Sequence, residues 1–305
     1  MTSPVPQDAL AAWSFPPVPM LLLVALCGVY LRGFIQARRT RPEELPWWRA
    51  ACFFLGAISI WIAIASPIDA LDDVLLTAHM IQHLILMSIA PPLLILGAPA
   101  VPLLRGLPSW FTRHALGPLL QAAWFRRVLR AFAHPAFAWL SMNLAYVGWH
   151  VPVAFELALH SEAWHTTEHL CFFFTSALFW WNVIRPWPAK AVWPRWSVIP
   201  FLLAADVVNT AVSASLVFCG RVLYSTYADA PRISGLSALE DQIAAGAEMW
   251  VLGSTIFLVA AMVAIWRMLR PRRGIYGLGQ AQARTVRQDR LPCDAGQKPA
   301  SRYLG

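Results

Sequence analysis

The chain has 305 residues, 58% of them hydrophobic and only 13% charged, with a formal net charge of +8. Soluble domains run at roughly 25% charged residues. This composition and its positive mean hydropathy therefore exclude an ordinary soluble protein and point to an integral membrane protein. The five cysteines (Cys27, Cys52, Cys171, Cys219 and Cys293) form no close pair, so neither a disulfide framework nor a thiolate metal site is indicated.

Residues 1–16 contain no lysine or arginine. A secretory signal peptide starts with a positive region, so this stretch is expected to be kept as an outer N-terminal segment. Apolar blocks follow at 17–36, 49–66, 75–97, 135–153, 163–183, 198–219 and 244–268. Each has about the 20 residues that cross a hydrocarbon core. They lack the alternation of barrel strands, and lipid leaves helices as the other way to satisfy the backbone. The expected fold is all-α: a polytopic membrane protein with a seven-helix membrane domain over 17–269 and a basic, disordered cytoplasmic tail over 270–305. Pro91-Pro92 and Gly97-Ala98-Pro99 are expected to kink and end the third span. Between spans three and four, residues 115–132 place Trp124 and Phe125 beside Arg126, Arg127 and Arg130. Such a pattern fits a helix lying in the membrane interface, or a basic loop.

The basic residues set the orientation. They crowd the connections after spans one, three and five and the C-terminal tail, and all but Arg221 and Arg232 of the 24 fall on that side. By the positive-inside rule the N-terminus is outside and the C-terminus cytoplasmic. The charge therefore implies a membrane orientation, with membrane lipid as a partner and no nucleic acid. Many of the 16 tryptophans, among them Trp47, Trp48, Trp164 and Trp250, fall near span ends, as interfacial belts require.

Orientation assigns a depth to each histidine. His79 and His83 open span three from outside, His150 closes span four at the outer end, and His165 and His169 open span five. Histidines four apart on a helix sit one turn above each other, about 6 Å between Cβ atoms, close enough to share a metal. Imidazole suits copper, zinc, iron and nickel. With five histidines and few thiolates, copper fits best, and Met80, Met87 and Met249 offer thioethers for Cu(I). Glu168, Asp241 and Glu248 are candidates to orient the imidazoles. Taken singly, each histidine is equally explained as an interhelical hydrogen-bonding group. Only their shared depth favours a metal. Asp206, Asn209, Thr210 and Ser213 line one face of span six, either as a proton or ion relay or as a polar seam between helices.

Specific strings accompany these positions. They are His79-Met80-Ile81-Gln82-His83 with Pro91-Pro92-Leu93-Leu94 and Gly97-Ala98-Pro99, then His134-Pro135 and Trp149-His150-Val151-Pro152. His165 with Glu168-His169, Phe179-Trp180-Trp181, and Asp241-Gln242 with Gly246 and Met249-Trp250 complete the set. In these the chain resembles the multi-spanning CtaG family of bacterial cytochrome c oxidase assembly factors. The resemblance implies a seven-span protein of the bacterial inner membrane, needed to mature a haem–copper oxidase by supplying copper to its catalytic subunit. The matching metal ligands are His79, His83, His150, His165 and His169 on the outer face. The expected partners are that catalytic subunit and a periplasmic copper chaperone, and no catalytic turnover is expected. Two other classes stay open: a membrane oxidoreductase with histidine-ligated haem or a di-metal centre, and a small-molecule or ion transporter.

Overall fold

The computed structural model describes residues 13–189, 193–232 and 235–269. The expected tail, 270–305, with Cys293, and all but the end of the expected outer segment, 1–16, lie outside the described residues. Every regular element among the described residues is helical. The chain divides into a helical body, Met1–Ile265, and a C-terminal unit, Trp266–Gly305.

In chain order, α1 (Pro17–Thr40) is followed by α2 (Trp47–Ala65), which a short turn extends, and by α3 (Leu76–Leu96). Next come α4 (Ala100–Gly106), α5 (Ala123–Phe132), α6 (Pro135–His150) and α7 (Pro152–Leu159). Last are α8 (Glu162–Ile184), α9 (Val198–Phe218), α10 (Ser225–Asp229) and α11 (Ala238–Leu269). Helices thus cover all seven apolar blocks. Five segments, Pro17–Thr40, Trp47–Leu71, Leu76–Leu96, Arg195–Phe218 and Ala238–Leu269, are long and apolar enough to cross a membrane. The other two differ for physical reasons. α6, with 16 residues, is about 24 Å long at 1.5 Å per residue, short of a core of about 30 Å. α8 is long enough, but its first two turns carry Glu162, His165, Glu168 and His169. The basic stretch before α6 is a helix, not a loop, with Trp124, Val128, Leu129 and Phe132 exposed.

Two apolar clusters hold the body together. In the first, α1 lies so close to α4 that a Cβ on Gly33 would meet the Pro102 carbonyl oxygen at 1.7 Å, and one on Gly106 the Val29 carbonyl oxygen at 1.9 Å. Only a hydrogen fits at both positions, the small-residue contact that membrane helices use in place of a hydrophobic drive. Tyr30 stacks on Phe53 of α2 and donates its hydroxyl to the Gly97 carbonyl at 2.8 Å, tying down the end of α3. The second cluster joins α3, α6, α8, α9 and α11 through Met80, Tyr146, Phe172, Phe179, Leu202 and Met249.

The course of α3 is set by its prolines. Pro91 has no N–H, so the Met87 carbonyl cannot make its usual bond four residues on. The helix widens into a π turn over Ile85–Ile89 just before the proline pair. The Ser176 hydroxyl and the Trp180 indole N–H (3.1 Å), both on α8, donate to the freed Met87 oxygen. α3 and α8 therefore run side by side from the same end of the body. The helix stops at Leu96, and Ala98 takes a left-handed conformation (φ 49°) before α4.

Candidate metal centre

That register carries the histidines. On α3, His79, His83 and Met87 follow each other at four-residue spacing. On α8, His165, Glu168/His169, Phe172, Ser176 and Trp180 do the same. Fixing Met87 to Ser176 and Trp180 thus sets both polar ends face to face. α3 has no side-chain cap of its own. Asp241, at the start of α11, supplies it: its carboxylate accepts from Leu76 N–H at 2.8 Å, Thr77 N–H at 3.3 Å and the Thr77 hydroxyl at 2.5 Å. Gln82, between the histidines in sequence, turns away and donates to the Ala63 carbonyl (2.7 Å) and to Asp69 (2.9 Å).

The four paired imidazoles form a closed ring of side chains. Centroids lie 4.3 Å apart for His79–His83, 4.2 Å for His165–His169, 5.3 Å for His79–His165 and 5.4 Å for His83–His169. Glu168 is fully buried between them, with Oε2 3.9 Å from His79 Nε2 and Oε1 3.7 Å from His83 Nε2. His79, His83, His165 and Glu168 each offer a donor atom within 4.8 Å of the other three. Metal–nitrogen bonds of about 2.0–2.1 Å place tetrahedral donors about 3.4 Å apart, so closure on one ion moves each donor atom by at most about 0.9 Å.

The hydrogen-bond inventory makes the stronger case. Both ring nitrogens of His79 and His83, both oxygens of Glu168, and Nε2 of His150, His165 and His169 are buried without a hydrogen-bond partner. Each buried donor or acceptor left without a hydrogen bond costs about 1–3 kcal/mol. So many in one place is not a stable resting arrangement for an apolar bundle. A cation at their centre would take one nitrogen from each ring and the carboxylate, and so would satisfy most of them at once. The donor set, imidazoles with one carboxylate, fits a transition metal such as copper or zinc.

The expected site residues sort as follows. His79, His83 and His165 meet around one point with Glu168, and His169 adjoins them. His150 stands further off, 6.4 Å between centroids from His83; its Nδ1 is 2.7 Å from the Tyr146 carbonyl oxygen, which leaves Nε2 free. Glu168, expected to orient an imidazole from outside, instead sits among the donors, because it shares the face of α8 with His165 and His169. Asp241 acts through the α3 cap, not through an imidazole. Glu248 forms no hydrogen bond or ion pair with the cluster. Met80 and Met249 are buried and, with His83 and His150, line a cavity beside the cluster. Asn209 accepts from Tyr146 (2.9 Å) and Asp206 from Ser254 (2.7 Å), so these two residues of the polar stripe on α9 join it to neighbouring helices.

Asp72 escaped the sequence reading. Its Oδ2 lies 3.6 Å from His165 Nε2, and Tyr227 donates to its backbone carbonyl at 2.5 Å. Burial, with Asp73 and Asp69 beside it, pushes its carboxyl up to about 8; a bound cation would reverse that. Its only sequence signal is an acidic residue seven positions before His79, in the connection between spans two and three.

A helical protein with apolar helices of membrane-crossing length and a buried histidine–carboxylate cluster at one end is the class that fold and site define. The chain belongs to the cytochrome c oxidase caa3 assembly factor family, whose model matches residues 28–271. Among curated proteins it is similar to uncharacterized proteins of Mycobacterium bovis and Mycobacterium tuberculosis, each 25% identical over 275 residues, covering 86% of this chain and 40% of theirs. A Mycobacterium leprae protein is 22% identical over 260 residues, covering 83% of this chain and 39% of its own. The chain thus spans about two-fifths of the length of these relatives. No solved structure matches it.

Proposed function

We propose that this protein receives copper at the His79/His83/His165/Glu168 cluster and passes it, as cargo, to the catalytic subunit of a haem–copper oxidase during assembly. The carrying observation is the set of buried, unpaired donor atoms on two helices; the family supports the oxidase as client. His169 and His150 extend the donor set, and Asp72 orients His165. In this proposal all seven apolar helices cross the bacterial inner membrane, with the N-terminus and the cluster on the outer side, as the basic residues direct. A periplasmic copper chaperone delivers the ion, the oxidase subunit takes it in the membrane plane, and no substrate is turned over. A haem between the histidines is disfavoured by crowding: rings 4.2–5.4 Å apart around a carboxylate leave no slot for a porphyrin.

The test is the metal content and optical spectrum of the purified protein, with and without alanine at His79, His83, His165 and His169. Copper bound by the wild type and lost from the variant is expected. Unchanged copper stoichiometry in the variant overturns the ligand assignment, and a Soret band overturns the copper reading. In respiring cells lacking the protein, oxidase activity should fall and be restored by excess copper.

A further inference from the structure

The cavity beside the cluster has an unusual wall. Four of the chain's eight methionines, Met80, Met87, Met142 and Met249, come from three different helices to line it, and all four are buried. Methionine in a core is ordinarily a flexible gap-filler. Here the four surround a gap they do not fill, a space of about 30 Å³ in which a water-sized sphere can be centred; a single water needs about 10–15 Å³. His83 and His150 also line this space, both nine-tenths or more buried and both with an unpartnered Nε2. The other polar side chains on the wall, Ser88, Asn143, Tyr146 and Asn209, are neutral, and the last three are paired. Tyr146 donates to Asn209, Asn209 donates to the Met249 carbonyl at 3.4 Å, and Asn143 donates to the Trp139 carbonyl at 2.8 Å. No carboxylate lines the cavity.

We infer that this cavity is a second metal position, a Cu(I) site that draws its few ligands from the thioether sulfurs of the four methionines and the imidazoles of His83 and His150. The inference rests on the copper reading of the neighbouring cluster and goes beyond it. Thioethers select Cu(I) over harder cations, while imidazole with carboxylate accepts a wider range. A monovalent ion needs no carboxylate to neutralise it, which suits an uncharged wall. His83 belongs to both places: one side of its ring faces Glu168, and the ring also borders the cavity. It is the ligand through which an ion leaves the cluster for the thioether site as Cu(I), with no change of oxidation state.

The test uses the full chain in lipid nanodiscs, loaded anaerobically with Cu(I) and examined by X-ray absorption at the copper edge. Sulfur scattering is expected in the wild type. The variant Met80→Leu/Met87→Leu/Met142→Leu/Met249→Leu, whose substitutions nearly conserve volume, should lose that scattering and one equivalent of Cu(I). The variant His165→Ala/Glu168→Gln, outside the cavity, should keep the sulfur-bound equivalent. Copper held by nitrogen and oxygen alone in the wild type overturns this inference and leaves the cluster reading standing; failure to bind any copper overturns both. Sulfur scattering that survives in the leucine variant also overturns it. Selenomethionine-labelled wild type gives a measurement free of mutation: a copper neighbour at the selenium edge is expected, and its absence refutes the site.

Discussion

Replacing Asp241 by alanine tests whether the cluster is held by a cap on a distant helix. The carboxylate accepts two short bonds, from Leu76 N–H (2.8 Å) and the Thr77 hydroxyl (2.5 Å), and a longer one from Thr77 N–H (3.3 Å). Hydrogen bonds to a charged group contribute about 1.5–3 kcal/mol each, and Asp241 and Leu76 are both nearly fully buried. Alanine removes the acceptor and strands the Leu76 N–H away from water. Allowing for the non-additivity of bonds to one carboxylate, Asp241→Ala should cost about 3 kcal/mol and lower the unfolding midpoint by roughly 6–12 °C. Asparagine keeps a capping oxygen and loses only the charge, so Asp241→Asn should cost about 1 kcal/mol. Because α3 carries His79 and His83 just beyond this cap, copper affinity should fall by about tenfold in the alanine variant, the scale of loss for groups that orient ligands. Thermal unfolding of the purified protein and competitive copper titration measure the two effects. If Asp241→Ala melts with the wild type, the cap does not hold α3. If it is destabilised but binds copper normally, the cap stabilises the bundle without positioning the histidines.

Two further outcomes follow from the same geometry. Ser176→Ala and Trp180→Phe should each cost about 0.6–1.7 kcal/mol, the range for interhelical bonds in membranes, while the double variant should lose more than their sum because Met87 O then has no partner; a double-mutant cycle by unfolding measures the excess. Glu156 anchors α10 by accepting from the Ser225 hydroxyl (2.9 Å), Thr226 N–H (3.2 Å) and the Thr226 hydroxyl (2.5 Å). Burial alone would raise its carboxyl, but the Thr226 and Ser225 bonds outweigh that and hold it below the ordinary 4.5. A depressed carboxyl stabilises the tether fully above 4.5 and loses it as pH falls through the folded value. Amide exchange over Ser225–Asp229, corrected for intrinsic rates, should therefore accelerate as the pH is taken down from 4.5 in the wild type, and Glu156→Gln should remove that pH dependence.

The helices and the end of the body where the histidines lie are both legible in the amino-acid sequence. Apolar runs of about 20 residues can only be helices in lipid, and counting from a span's end places His79, His83, His150, His165 and His169 at one level. The face-sharing of His79 with His83, and of His165 with His169, also follows from the helical repeat alone. Adjacency does not. Which helices are neighbours, and how each is turned about its axis, depends on contacts between residues far apart in the chain: the Met87 carbonyl freed by Pro91 and taken up by Ser176 and Trp180, or Asp241 reaching back 165 positions to Leu76. Those contacts put Glu168 among the imidazoles instead of behind them, brought Asp72 to His165, and turned His150 with four methionines onto a cavity. Periodicity constrains one helix at a time, and a site assembled from several is decided by packing.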